Sequence, residues 1–167
     1  VPVLSKKGFN AKIFCTYATL DLADVMLQDS GFINEKDEEY FCKYLAKSMM
    51  ECEGPLYTQE DCTECMKHFT GRNYDEWFDV IPGIKAMFIE AGHIIGAAMV
   101  VLEIMENGTK RMVGFTGDLG RNMLPIIKDP APMPEVEILI CESTYGNRAH
   151  EDIQTAKHAL REVIIRT

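Results

Sequence analysis

The chain has 167 residues, 47% of them hydrophobic, which is enough for one domain with a packed core. It has no run of about 18 uninterrupted apolar residues, which excludes a transmembrane helix. Its start, VPVLSKKGFN, lacks the basic-then-apolar pattern of a secretory signal, so a cytoplasmic location is expected. The net charge of −9 argues against a surface that grips nucleic acid unaided, because phosphate binding shows as a basic stripe.

In chain order, KIFC (12–15) is a short apolar run that predicts a strand. From Thr16, TYATLDLADVMLQDSG carries Leu22, Val25 and Met26 at helical spacing and predicts a helix that stops at Gly31. The stretch from about 34 to 70 is charged, with helices predicted near 35–50 and 58–69, broken at Gly54-Pro55. Thr58 suits the N-cap of the second, with acids in its first turn. Six cysteines without a signal peptide read as thiols rather than disulfides. Cys42, Cys52, Cys62 and Cys65 lie close together, but only Cys62-Thr-Glu-Cys65 has CxxC spacing. On a helix those two thiols share a face, so core packing is the favoured reading and a structural metal the other.

The second half is strand-rich. Residues 74–80, 84–90 and 96–105 carry β-branched or alternating apolar residues. Asn107-Gly108 between VVLEIM and KRMVGF predicts a hairpin, a reading preferred to the glycosylation sequon that Asn107-Gly108-Thr109 also forms. VEILIC (136–141) predicts a short buried strand, and a helix begins at His150. Helices first and strands later point to a layered α/β domain.

Three segments sit where chemistry gathers, at strand C-termini. In Glu90-Ala91-Gly92-His93-Ile94-Ile95-Gly96, a histidine between glycines can present its imidazole beyond the sheet edge, although a lone histidine is more often structural. In Phe115-Thr116-Gly117-Asp118-Leu119-Gly120-Arg121, the aspartate suits a metal or phosphate site, or equally a hydrogen bond to its own turn. In Cys141-Glu142-Ser143-Thr144-Tyr145-Gly146-Asn147-Arg148-Ala149-His150, an acid, an arginine and a histidine fall together, where a capped helix start with a solvated loop is the alternative.

Taken in order, AGHIIGAA, FTGDLGR and ESTYGNRAH resemble the β-CASP branch of the metallo-β-lactamase superfamily, which includes RNA-processing nucleases. GFNAKIFCTYATLDLADVMLQDS is similar to the segment that follows the family's main metal-binding motif and LYTQEDCTECMKHF resembles its downstream helix, so the resemblance covers nearly the whole chain. It implies an α/β fold, part of the four-layer αββα sandwich with mixed sheets. Residues 1–141 would belong to its core and 142–167 would open the β-CASP insertion. It also implies a zinc-dependent ribonuclease with two Zn2+ ions and RNA as partner. His93 matches a zinc ligand, Asp118 a carboxylate bridging both ions, and Glu142 an acid supporting the site; together they form the implied catalytic set. Arg148 and His150 are candidate phosphate contacts.

The family's HxHxDH motif does not occur here and is expected just upstream of Val1; its last histidine and most of the insertion are expected downstream. The resemblance therefore implies a fragment that is inactive alone, whose acidic charge is offset by basic residues elsewhere in the protein. Exposed sheet edges in such a piece invite pairing, so a homodimer is an expectation. An inactive scaffold in a processing complex and a small-molecule metallo-hydrolase are the alternative functions.

Overall fold

A computed structural model describes residues 1–45, 54–148 and 153–166. Cys52 and His150 lie outside this set. The architecture is mixed α/β, as expected. A short helix α1 (Pro2–Lys6) precedes strand β1 (Ile13–Thr16) and a long helix α2 (Tyr17–Leu45). Helix α3 (Gln59–Met66) leads into β2 (Phe69–Arg72), and β1 and β2 form a two-stranded parallel sheet. Strands β3 (Trp77–Ile81), β4 (Ile84–Glu90), β5 (Ala98–Glu106), β6 (Thr109–Phe115) and β7 (Ile138–Ile140) form a five-stranded mixed sheet in that order. Helix α4 (Ile153–Arg166) follows, with none of its described residues buried.

Gly31 does not end the first helix. The helix predicted from Thr16 to Gly31 and the described part of the one predicted near 35–50 are one element of 29 residues, Tyr17–Leu45. The glycine is there for close approach. A Cβ at position 31 would lie 2.9 Å from the Gln59 backbone nitrogen and 3.0 Å from its Cα, so α2 and the start of α3 touch backbone to backbone at this point. The side of α2 that turns inward carries Leu20, Ala23, Leu27 and Gly31 at helical spacing, while Leu22, Val25 and Met26 face outward and are exposed. The apolar periodicity was real, but the packed stripe is the one with the smaller residues.

Helix α3 starts as its sequence requires. The Thr58 hydroxyl accepts from the Asp61 backbone N–H at 3.1 Å, and the Asp61 carboxylate accepts from the Thr58 N–H at 2.9 Å, a reciprocal capping box. Lys6 of α1 reaches the same carboxylate at 3.1 Å. Cys62 and Cys65 on this helix are fully buried, and burial pushes both thiols up from their ordinary pKa. Cys15, Cys62, Cys65 and Cys141 are free thiols, but Cys42 is disulfide-bonded, against the expectation of thiols throughout.

An aromatic ladder joins the small sheet to the large one. Phe14 of β1 meets Phe78 of β3 with ring centroids 5.1 Å apart, and Phe78 meets Phe88 of β4 at 5.2 Å. The Arg72 guanidinium lies 5.0 Å from the Phe14 ring and 5.3 Å from the Phe78 ring. On the opposite face of the large sheet the core gathers around Ile89, Met99 and Val101, covered by Met133 and Val136 of the segment before β7. The unbranched methionines Met87, Met99, Met112 and Met133 fill this irregular space between sheet and loop.

Asn107 and Gly108 both have positive φ, 49° and 78°, which matches the type I′ hairpin expected between β5 and β6. Strand β7 differs from expectation. It is three residues long, and Ile138, Leu139 and Ile140 are 58%, 54% and 52% exposed. Its position at the sheet's end explains this: among the described residues its neighbour in the sheet is β6 alone, so there the apolar run marks an edge strand.

Two outcomes test these contacts. Gly31→Ala gains about 1 kcal/mol of helix propensity, but the new methyl must displace backbone and not a flexible side chain, an overpacking cost of about 1–3 kcal/mol. Urea unfolding should therefore show a net loss of stability. Thr58→Ala removes the cap and should cost about 1 kcal/mol in the same measurement. Asp61 is held below the ordinary carboxylate range, first by the Thr58 backbone N–H and then by Lys6. Its contribution to stability is thus present above that range and fades as pH falls through the lowered value. The stability difference between Asp61→Asn and the parent chain should therefore shrink in strong acid.

Candidate active site

Three loops leave the large sheet at one edge because of strand direction. β4 ends at Glu90, which pairs with Ala98 at the start of antiparallel β5; β6 ends at Phe115, paired with Val100 of β5 and with Ile140 at the end of parallel β7. The loops 91–97, 116–120 and 141–146 therefore emerge side by side. They carry His93, Asp118 and Glu142.

The three residues line a single cleft of about 760 Å³, together with Arg121, Leu124 and Tyr145. His93 Nε2 stands 3.9 Å from Asp118 Oδ2. Their side chains are 44% and 74% exposed, and among the described residues neither makes a hydrogen bond. The alternative in which Asp118 serves its own turn is therefore not what the geometry shows. Donors about 2.1 Å from one tetrahedral ion stand roughly 3.4 Å apart, so a nitrogen and a carboxylate oxygen at this separation can share a zinc after a small shift. Among the described residues no group of three or more metal-type side chains comes together.

Backbone contacts fix the loops against one another. The Gly120 N–H donates to the Ala91 carbonyl at 2.9 Å. A Cβ on Gly120 would sit 1.6 Å from the Gly92 carbonyl oxygen and 2.7 Å from the His93 nitrogen, a space only glycine can occupy. Gly92 has a φ of +64°, and its N–H donates to the Glu90 carboxylate at 3.0 Å. The far end of the histidine loop is tied to α2: Thr16 accepts from the Thr19 N–H at 3.1 Å as the helix cap, and both threonine hydroxyls lie 2.9 Å from the Gly96 carbonyl. Tyr74 donates to the neighbouring Ala97 carbonyl at 3.0 Å, and burial, aided by Glu90, pushes its phenol up.

Glu142 has a different task from the other two. Its carboxylate accepts from the Leu119 N–H, one residue beyond Asp118, and its own N–H donates to the Thr116 hydroxyl at 3.1 Å. The Leu119 N–H, then the Thr144 hydroxyl, holds its carboxyl below the usual range, with His93 adding a smaller push in the same direction. Glu142 is thus an ionised brace on the aspartate loop.

Arg148 is placed outside the cleft lining, with its guanidinium carbon 4.6 Å from the Tyr145 ring centroid; His150 falls outside the described residues. The sequence reading passed over Arg121 and Tyr145, which line the cleft. Arg121 could have been found, since it closes the GDLGR run; the Thr16–Thr19–Gly96 tie could not, since nothing in the spacing links residues 80 apart.

No protein-family model matches the chain. It is 28% identical over all 167 residues to Ribonuclease TTHA0252 of Thermus thermophilus, of which it covers 33%. It is 32% identical over 158 residues, 92% of its length, to an RNase J-like protein of Methanocaldococcus jannaschii, of which it covers 31%. Over 149 residues, 89% of its length, it is 32% identical to cleavage and polyadenylation specificity factor 73 of Drosophila melanogaster, of which it covers 19%. The chain spans about a third or less of each of these relatives.

The glycine crossing gives a direct test. Gly120→Ala should lower stability by about 3 kcal/mol, at the upper end of overpacking costs, because the clash is with the Gly92 backbone and not with a flexible side chain. Thermal melting by circular dichroism would read it, and a melting temperature equal to the parent's would refute the contact.

Proposed function

Since this chain belongs to the β-CASP branch of the metallo-β-lactamase superfamily, we propose that the protein containing it hydrolyses RNA phosphodiester bonds with two zinc ions. The observation that carries this reading is the convergence of His93 and Asp118, 3.9 Å apart, on one cleft braced by Glu142. Two of the relatives are ribonucleases by name and a third is a cleavage factor, which supports RNA as the substrate class. In this reading residues 1–141 are part of the catalytic core and Glu142 onward opens the inserted domain.

Zinc, when bound, supplies a hydroxide near neutral pH and stabilises the leaving oxygen of the phosphodiester. The chain's own residues set the geometry. His93 offers an imidazole nitrogen and Asp118 a carboxylate oxygen, both unengaged and facing the cleft. Glu142 keeps the Leu119 N–H occupied and so fixes the turn that aims Asp118, as outer partners of metal ligands do. Bound cations would also change the local electrostatics, since the cleft otherwise presents Asp118 and Glu142 to a polyanion.

Two donors fall short of the three protein ligands a catalytic zinc takes. The 167-residue chain alone is therefore expected to hold zinc weakly and not to cut RNA. No helix among the described residues is long and apolar enough to cross a membrane, and the reading places the protein in the cytoplasm. The exposed edge strand β7 is where a second copy of the chain would pair in a homodimer.

The test is metal content and RNA cleavage by the full protein. His93→Ala and Asp118→Asn should each lower bound zinc and reduce cleavage by at least about a hundredfold. Glu142→Ala should reduce cleavage less, with Glu142→Gln recovering part of it, because an amide oxygen still accepts from Leu119. Stoichiometric zinc with no RNA cleavage would instead favour a scaffold or a small-molecule hydrolase.

A further inference from the structure

Among the twelve residues lining the cleft, Arg121 is the single lysine or arginine. It is exposed, and among the described residues it makes no ion pair or hydrogen bond. That is unusual for a cation sharing a cleft with two carboxylates. If its role were structural, pairing with Asp118 or Glu142 would be the expected arrangement. Glu142 is instead turned to the Leu119 N–H, and Asp118 stands nearest His93. The guanidinium is left available to something that enters the cleft.

Its footing is firm. The residue before it, Gly120, is the one whose N–H is bonded to the Ala91 carbonyl and whose Cα packs against the Gly92 backbone. Arg121 therefore extends from a hydrogen-bonded, closely packed point of the aspartate loop, three residues beyond Asp118. The arginine that the sequence offered for phosphate, Arg148, is already stacked over the Tyr145 ring.

We propose that Arg121 anchors a phosphate of the substrate strand in this cleft, a role that rests on the nuclease reading above. A guanidinium presents two parallel N–H donors that match phosphate oxygens, and it keeps its charge at every physiological pH. In a chain of net charge −9, a single fixed cation beside the metal ligands decides which part of an approaching strand comes to rest there. Arg121 is thus a substrate-positioning residue, not a metal ligand.

The experiment uses the full protein and a fluorescent single-stranded RNA carrying a non-cleavable linkage, with binding read by anisotropy over a series of salt concentrations. Cleavage of the ordinary RNA is measured beside it. Arg121→Gln should weaken binding roughly tenfold, as loss of a charge-assisted contact does. The slope of log affinity against log salt should become shallower by about 0.7, the value for one phosphate on a single strand. Arg121→Lys should restore the salt slope but only part of the affinity, and the cleavage defect of Arg121→Gln should appear in KM more than in kcat. Circular dichroism melting equal to the parent's confirms that the variant is folded. Unchanged affinity and slope in Arg121→Gln overturn the assignment even if the parent cuts RNA well, and so does a parent that does not bind the RNA. Arg121-dependent binding by a zinc-loaded parent that leaves RNA uncut upholds the contact while the nuclease reading fails.

Discussion

One backbone contact governs the site: the crossing of the histidine loop and the aspartate loop at Gly92 and Gly120. With no side chain at Gly120, the two loops approach until the Gly120 N–H reaches the Ala91 carbonyl. A separation of 3.9 Å between His93 and Asp118 depends on that approach, because a methyl group at the crossing would push the loops apart by more than the tolerance of a metal site. Everything around it limits the freedom of this pair. The Thr16 and Thr19 hydroxyls hold the far end of the histidine loop, and Glu142 holds the turn after the aspartate.

The sheet makes these contacts possible without specifying them. Antiparallel β4–β5–β6 and parallel β6–β7 pairing bring three loops to the same edge, and the Phe14–Phe78–Phe88 ladder sets β1 and the start of α2 beside them. Helix α2 thereby places its cap residue where it can reach the Gly96 carbonyl. The long helix and the cleft edge of the sheet are tied together, even though residues 16 and 96 are far apart in the chain.

How much of this could be read in advance divides along the range of the interactions. Local chemistry was legible: the Thr58 cap, the Asn107-Gly108 turn and the strand at 84–90 all follow from neighbours within a few residues. His93, Asp118 and Glu142 were legible as an ordered set of motifs, and the structure brings them to one cleft. What failed was decided by distant partners. Gly31 looked like a stop because its role, admitting the backbone of Gln59, depends on a segment 28 residues later. Strand β7 looked buried because an apolar run cannot report that, among the described residues, it has a neighbour on one side alone. Arg148 was drawn off by an aromatic ring three residues away, which left Arg121 as the cation in the cleft.

The turn at Asn107-Gly108 lies at the other end of the sheet from all of this. β5 is nine residues long, so the turn stands roughly 30 Å from the loops that carry His93 and Asp118. It is exposed, its shape is set by its own two residues, and no contact described for the cleft passes through it. It is therefore a natural handle: a dye, a tag or a surface tether attached there would report on the protein without touching its chemistry. The same holds for a sugar added to Asn107 by a secretory expression host, which would decorate the molecule at its inert pole.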